Sequence, residues 1–598
     1  MKQLYSLFLL FASMLTFGQA NLDKYDYFVQ FNGNQLSKKV DVNQVLNHPI
    51  ITKFTSKKPD FDLRKYTSII KLDQKITIHG SFLDSVPYYQ VTIPIKNKEA
   101  VKQYLVENLK AENNAIQDFG KYAVFTSKGA KKSLAWNDDF LVIFELTKRL
   151  PTKFYNDTSA VAIDSVAVTD YYGNDTIVEA PAVSDVEPKA SDIILDDDQY
   201  DENPYEAYSA EQAEFDRKLA ENQSEIIKRL FENGFTAPTS SKITIGADIS
   251  SWVDYGGMIS TLYSAYSYPM RLFGGYDKYL PMQKSFGNFV KGINLDFYFD
   301  NDNARIEEII EYSKEIAEAV SKIGDRKINK NIFNYFPAEK PLGYMSYHIN
   351  TKAALEKFPS LMTDMFQNPK FTKEDIAIIT DLISTIVDEE ATAKLFDGDL
   401  SAFLYDVKEV EVMTKKYDYD ENYEEKITEE KVKKTIPLFS VVFTSTHPTF
   451  GDKLLQLGVR KKLLIQNGNY YQILGTKEYG DIYILKDKDV VAVSNTLDYF
   501  SKGNGSFVKE TKKDLSKNAI FGKMNISQTI KAFGKNAKDD ELNKMNRFAS
   551  QFSDFTMESP KKLIDNKFKF VLKLNSLQND KNIILQTLDL ANDMMASK

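Results

Sequence analysis

Residues 156–216 carry seventeen Asp and Glu against the single base Lys189, and this stretch limits what the chain can fold into more than any other feature. Its centre, VEAPAVSDVEPKASDIILDDDQYDENPYE, combines charge runs with three prolines and shows little apolar period. Such a segment buries too little to offset the entropy of ordering it, so it reads as a solvated interdomain tether. The expected organisation is an N-terminal α+β domain over 21–155, an acidic linker over 156–208, a central α+β domain over 209–435 and a C-terminal α+β domain over 436–598. A length of 598 residues suggests three or four domains, and 43% hydrophobic residues make them globular. With no cysteine in the chain, disulfides, thiol nucleophiles and thiolate metal sites are excluded, and ordinary apolar cores must hold each part.

The first twenty residues read as an export signal. Lys2 supplies charge, Leu4 to Phe17 an apolar run, and Gly18-Gln19-Ala20 a small-x-small cleavage site, which predicts a mature protein starting near Asn21. The apolar run is shorter than the roughly 20 residues of a spanning helix. The expected location is therefore beyond the inner membrane, periplasmic or secreted, with no transmembrane segment in the mature chain. A lipoprotein is excluded because no cysteine is present to accept the lipid.

The order of elements predicts antiparallel sheets with helices packed on one face. Tyr25 to Asn32 alternates as a strand, and helical patterns follow around Val42 to Phe54 and Phe61 to Ile70. Lys75 to His79 and Tyr88 to Ile95 form a predicted hairpin, Asn97 caps a helix running to about Ala111, and strands recur near Tyr122 to Ser127 and Phe140 to Leu146. A strand, polar cap and helix then return. INLDFYFDNDN leads into ARIEEIIEYSKEIAEAV, with Asn301 to Asn303 as the helix start; weaker versions are MSYHINTKAALEKFPSLM from Met345 and GKMNISQTIKAFG from Gly522. The meander from Gly120 through Asn137-Asp-Asp to an apolar strand matches that from Gly468 through Lys486-Asp-Lys-Asp. These matches predict a duplicated module.

The segments YDYFVQFNG, KITIHG, YYQVTIPIKNKEAV, LFDGDLSAFLYD from Leu395 and KDVVAVSN together resemble a family of uncharacterised exported proteins of Gram-negative bacteria, a domain of unknown function. The resemblance spans most of the mature chain through loose structural motifs. It implies no activity and transfers no functional residue. Some members resemble lipoproteins, from which this chain departs by lacking the cysteine.

No catalytic signature is present. The four imidazoles, His48, His79, His348 and His447, lie far apart in sequence, so an HExxH zinc helix is impossible, and their neighbours favour turn or cap roles for His48, His79 and His447. There is no Gly-x-Ser-x-Gly elbow and no Gly-x-x-x-x-Gly-Lys phosphate loop. Acid runs at Asp196 to Asp198, Asp300 to Asn303 and Asp418 to Asn422 lack the glycine and spaced glutamate of a calcium loop. Asp397 and Asp399 are the best-placed carboxylate pair for an acid-based glycan hydrolase, with Gly398 between them, although Asp-Gly-Asp is also an ordinary turn. No catalytic residue, cofactor or metal site is assigned.

The most unusual composition for binding lies between 252 and 289, where Trp252, Tyr255, Tyr268, Phe273, Tyr276 and Tyr279 stand among glycines as candidate ligand contacts. Helical spacing of Val253, Met258, Leu262 and Tyr266 also fits core packing. Nucleic acid is a poor partner. Residues 451–598 hold 25 bases and 17 acids, but the lysines are dispersed and the chain carries a net charge of −8. The expectation is a non-enzymatic envelope binding or scaffold protein recognising a protein, peptide or glycan. A glycan hydrolase and a membrane-surface protein are the alternatives.

Overall fold

The computed structural model describes residues 24–55, 67–84, 86–108, 115–126, 132–146, 204–258, 289–366, 372–386, 388–419, 425–476, 480–500, 506–534 and 539–596. The strands of the first part are β1 (Tyr27–Asn32), β2 (Lys75–Ser81), β3 (Tyr88–Pro94), β4 (Ile116–Asp118), β5 (Ala123–Thr126), β6 (Ser133–Trp136) and β7 (Phe140–Leu146). After the acidic stretch come β8 (Ile249–Val253), β9 (Val290–Phe299), β10 (Asn303–Tyr312), β11 (Gly343–His348), β12 (Asp399–Tyr419) and β13 (Glu425–Thr444). The last are β14 (Leu464–Asn467), β15 (Tyr470–Ile473), β16 (Ile482–Asp487), β17 (Val490–Ser494), β18 (Asn518–Asn525), β19 (Phe552–Pro560) and β20 (Lys567–Ser576).

All twenty belong to one continuous antiparallel sheet. Neighbours run β4, β5, β6, β7, β3, β2, β1, β8, β9, β10, β20, β19, β18, β11, β12, β13, β17, β16, β15, β14. The class is α+β, as the sequence predicts. The sheet passes through the expected borders: β1 pairs with β8 across the acidic stretch, and β13 contains position 436. The helix Pro204–Glu232 begins inside the span read as linker and returns to the preceding strands. Its Ile226, Ile227 and Phe231 join Tyr88, Val142, Phe144 and Leu146 in one core. Gln223 fastens it by accepting from the Leu146 amide at 2.9 Å and donating to Ser133 Oγ at 2.7 Å.

Helices are divided between the two faces, where the order of elements predicted one. Residues directly opposite on neighbouring strands share a face and alternate along each strand. On what is here called the front face, Tyr344, Phe403, Val442 and Phe521 pack under Phe507 and Leu515 of helix Ser506–Lys517. On the back face, Phe299, Ala304 and Leu574 lie under Ile530, Phe548 and Leu590, from helices Ile526–Phe533, Asp539–Gln551 and Ile583–Ala596. Both sides of a strand such as β18 are apolar, and alternation by itself does not assign a single wet face.

ARIEEIIEY, expected to be helical, is strand β10. Ile306, Ile309 and Ile310 satisfy helical spacing, but the segment is bonded on both sides, to β9 and to β20, and tertiary pairing decides it. Asn301 to Asn303 turn the β9–β10 hairpin, closed by the Asp300 amide donating to Asn303 O at 2.9 Å, and the helix starts only at Lys314, capped by Ser313.

A candidate binding groove on the sheet

The back face is bare where its helices stop, across β13, β12, β11, β18 and β19. Register places two ladders of side chains side by side there. One runs Val441, Ala402, Met345, Gly522, Met557, and the other Phe439, Leu404, Gly343, Met524, Phe555. The small residues Ala402, Gly343 and Gly522 alternate with long ones along the two ladders and leave a depression of about 560 Å³, walled almost wholly by apolar atoms. Five strands at about 4.8 Å spacing make it roughly 20 Å long, the reach of about six extended residues. Met345 is 44% exposed and Met524 40%. Met557 already lies over Gly522, where a Cβ would stand 2.8 Å from its Cγ. Unbranched, polarizable thioethers adapt to irregular apolar guests, the property promiscuous binding surfaces exploit.

Beneath the groove, on the front face, a buried ionic cluster fixes β11 and β12. Asp399 has no accessible surface. Its Oδ1 lies 2.8 Å from His348 Nδ1, and its Oδ2 accepts from Arg326 Nη2 at 2.7 Å and from the Asn329 amide at 2.9 Å. Arg326 Nη2 also donates to Asp397 Oδ2 at 2.6 Å. Burial raises the Asp399 carboxyl pKa, but these donors outweigh it and hold the group below its ordinary value. Burial of His348 prevails over its bond to Asp399 and keeps the ring neutral further into acid. Gly398, at φ +102°, lets the chain pass so close to the Ile349 carbonyl that a Cβ would stand 1.9 Å from it.

Sequence reasoning singled out Asp397 and Asp399 together, and the structure joins them through one guanidinium. Asp399, whose two oxygens are both occupied, clamps the loop after helix Lys314–Gly324 onto β12.

The aromatic candidates fall in another part of the sheet. Trp252, on β8, lies across the neighbouring strand over Gly292, whose Cβ would meet its Nε1 at 2.5 Å. Tyr25 meets the indole edge-on at 6.0 Å, and Lys242 Nζ sits 5.4 Å from its centroid. An aromatic covering a cross-strand glycine stabilises a sheet by filling the missing side chain. Tyr255 is partly exposed and opens the helical turn that follows that strand. Tyr268, Phe273, Tyr276 and Tyr279 lie outside the described residues. Of the histidines, His447 Nδ1 accepts from the Phe450 amide at 3.0 Å and so starts helix Phe450–Arg460, while His48 Nε2 reaches Asp589 Oδ1 at 3.0 Å. His79 is a core residue, set between Phe28 and Tyr88.

Sequence reasoning missed the groove because Met345, Met524 and Met557 come from three distant segments with no shared local pattern. No family model, curated protein or solved structure matches the chain.

Proposed function

We propose that the chain is an exported envelope binding or scaffold protein, with no catalytic role, whose sheet groove receives an extended apolar segment of a protein or peptide. The observation that carries this reading is the open, methionine-walled trough across five strands, with Ala402, Gly343 and Gly522 beneath it. The N-terminal segment read as an export signal and the resemblance to exported proteins support the location. A duplicated strand, cap and helix module is part of the same proposal. Two of its copies, strand β11 with helix Thr351–Phe366 and strand β18 with helix Ile526–Phe533, contribute strands to the groove.

The test is a photo-cross-linking side chain placed at Met345 or Met524 in cells. A discrete protein or peptide adduct is expected, and Ala402→Phe, which fills the trough, should abolish it while thermal unfolding stays cooperative. Adduct formation that is indifferent to Ala402→Phe would rule out the groove as the binding place.

A further inference from the structure

Strands β12 and β13 continue well past the sheet. β11 pairs with β12 only as far as Leu404, and β17 pairs with β13 only from Ser440. From Asp406 to Tyr419 and from Glu425 to Phe439 the two strands pair with each other and, among the described residues, with no third strand. At about 3.4 Å per residue this ribbon projects roughly 45 Å. None of residues 406–415 or 427–435 is buried, and Met413 is 51% exposed. A two-stranded ribbon without a core is marginal in water, and its free edges are templates for another strand.

We infer that the ribbon is a self-association arm, in which the β12 edge pairs antiparallel with the β12 edge of a second copy about a twofold axis at Met413. Such an axis requires directly opposite residues to share a face. Centring on Met413 sets Met413 against its own copy, Val412 against Thr414, and Glu411 against Lys415 on both sides of the axis. Within each chain Glu411 stands opposite Lys433, and Lys415 opposite Glu429. The four-stranded product therefore reads Lys433, Glu411, Lys415, Glu429 across one row and the reverse across its mate, with signs alternating at every step. Registers centred on Glu411 or Lys415 oppose like charges, which is destabilising. The β13 edge is unsuited to self-pairing, because centring on Lys431 or Lys433 opposes identical lysines and centring on Val432 sets Lys431 against Lys433.

The test is sedimentation of the full mature chain with single and mixed variants. Wild type should sediment as a dimer at tens of micromolar and dissociate as salt rises. Glu411→Lys places a second lysine opposite Lys415, and Lys415→Glu places a second glutamate opposite Glu411, so each variant alone should be monomeric. An equimolar mixture restores both opposite-charge pairs and should dimerise. This recovery separates lost pairing from a damaged arm. A monomeric wild type, dimers in both single variants, or a monomeric mixture would each overturn the inference.

Discussion

His79 offers a quantitative test of the sheet core. Its ring packs against Phe28 at 5.6 Å and edge-on to Tyr88 at 5.8 Å, it is 4% exposed, and its Nδ1 finds no partner among the described residues. Burial without a compensating charge pushes its pKa down from 6.5 to about 4. The unfolded chain therefore binds the proton first. The stabilisation is fully present above pH 6.5 and is lost as pH falls towards 4. At about 1.4 kcal/mol per pH unit, and allowing for half-protonation of the folded state at pH 4, the loss is about 3 kcal/mol. His79→Phe keeps an aromatic body of similar size and removes the titration. It should differ from wild type by less than about 1.5 kcal/mol at pH 7.5 and be relatively more stable by about 3 kcal/mol at pH 4, read from urea midpoints at both values. His348 and the carboxylates contribute to the acid response of both proteins and cancel in the difference. An equal gap between the two proteins at pH 7.5 and pH 4 would refute the assignment of a neutral, desolvated imidazole.

Three further outcomes follow from close contacts. Gly398→Ala combines a left-handed backbone penalty of about 1–2 kcal/mol with a clash against the Ile349 carbonyl, so it should lower stability by about 3 kcal/mol; an unchanged urea midpoint would count against the geometry. Asp399→Ala leaves the His348 ring and the Asn329 amide without their acceptor and Arg326 with Asp397 alone, and should cost about 3–5 kcal/mol, more than Asp397→Ala, whose carboxylate is 24% exposed; the reverse order would show that Asp397 holds the clamp. Gly292→Ala should push the Trp252 indole off β9 and shift its fluorescence to the red, with unaltered emission arguing that the indole does not rest on that glycine.

Local chemistry was legible wherever it was self-contained. Alternation located β1, β2, β3 and β7, Asn97 and Asn525 announced helix starts, and the Asp-Gly-Asp pair marked the entry to β12. What remained unreadable was decided by partners far away in the chain. β10 meets β20 more than 250 residues later, and this contact turns an isoleucine pattern compatible with a helix into a strand. Arg326 and His348 carry no sign in sequence that they converge on Asp399.

The same distance explains why groove and arm share one segment. β12 spends its first six residues between β11 and β13, where both faces are occupied or lined by apolar groups, and its remainder beyond Leu404 with one neighbour only. The register shift between Leu404 and Asp406 marks the change. Leu404 and Pro437, which line the groove, stand at this shift, and a break in register bends and twists a strand. Two copies joined at Met413 would therefore present two grooves at fixed separation, each at the root of its own arm. Occupancy of one site by a long partner would raise the effective concentration at the other without any new contact.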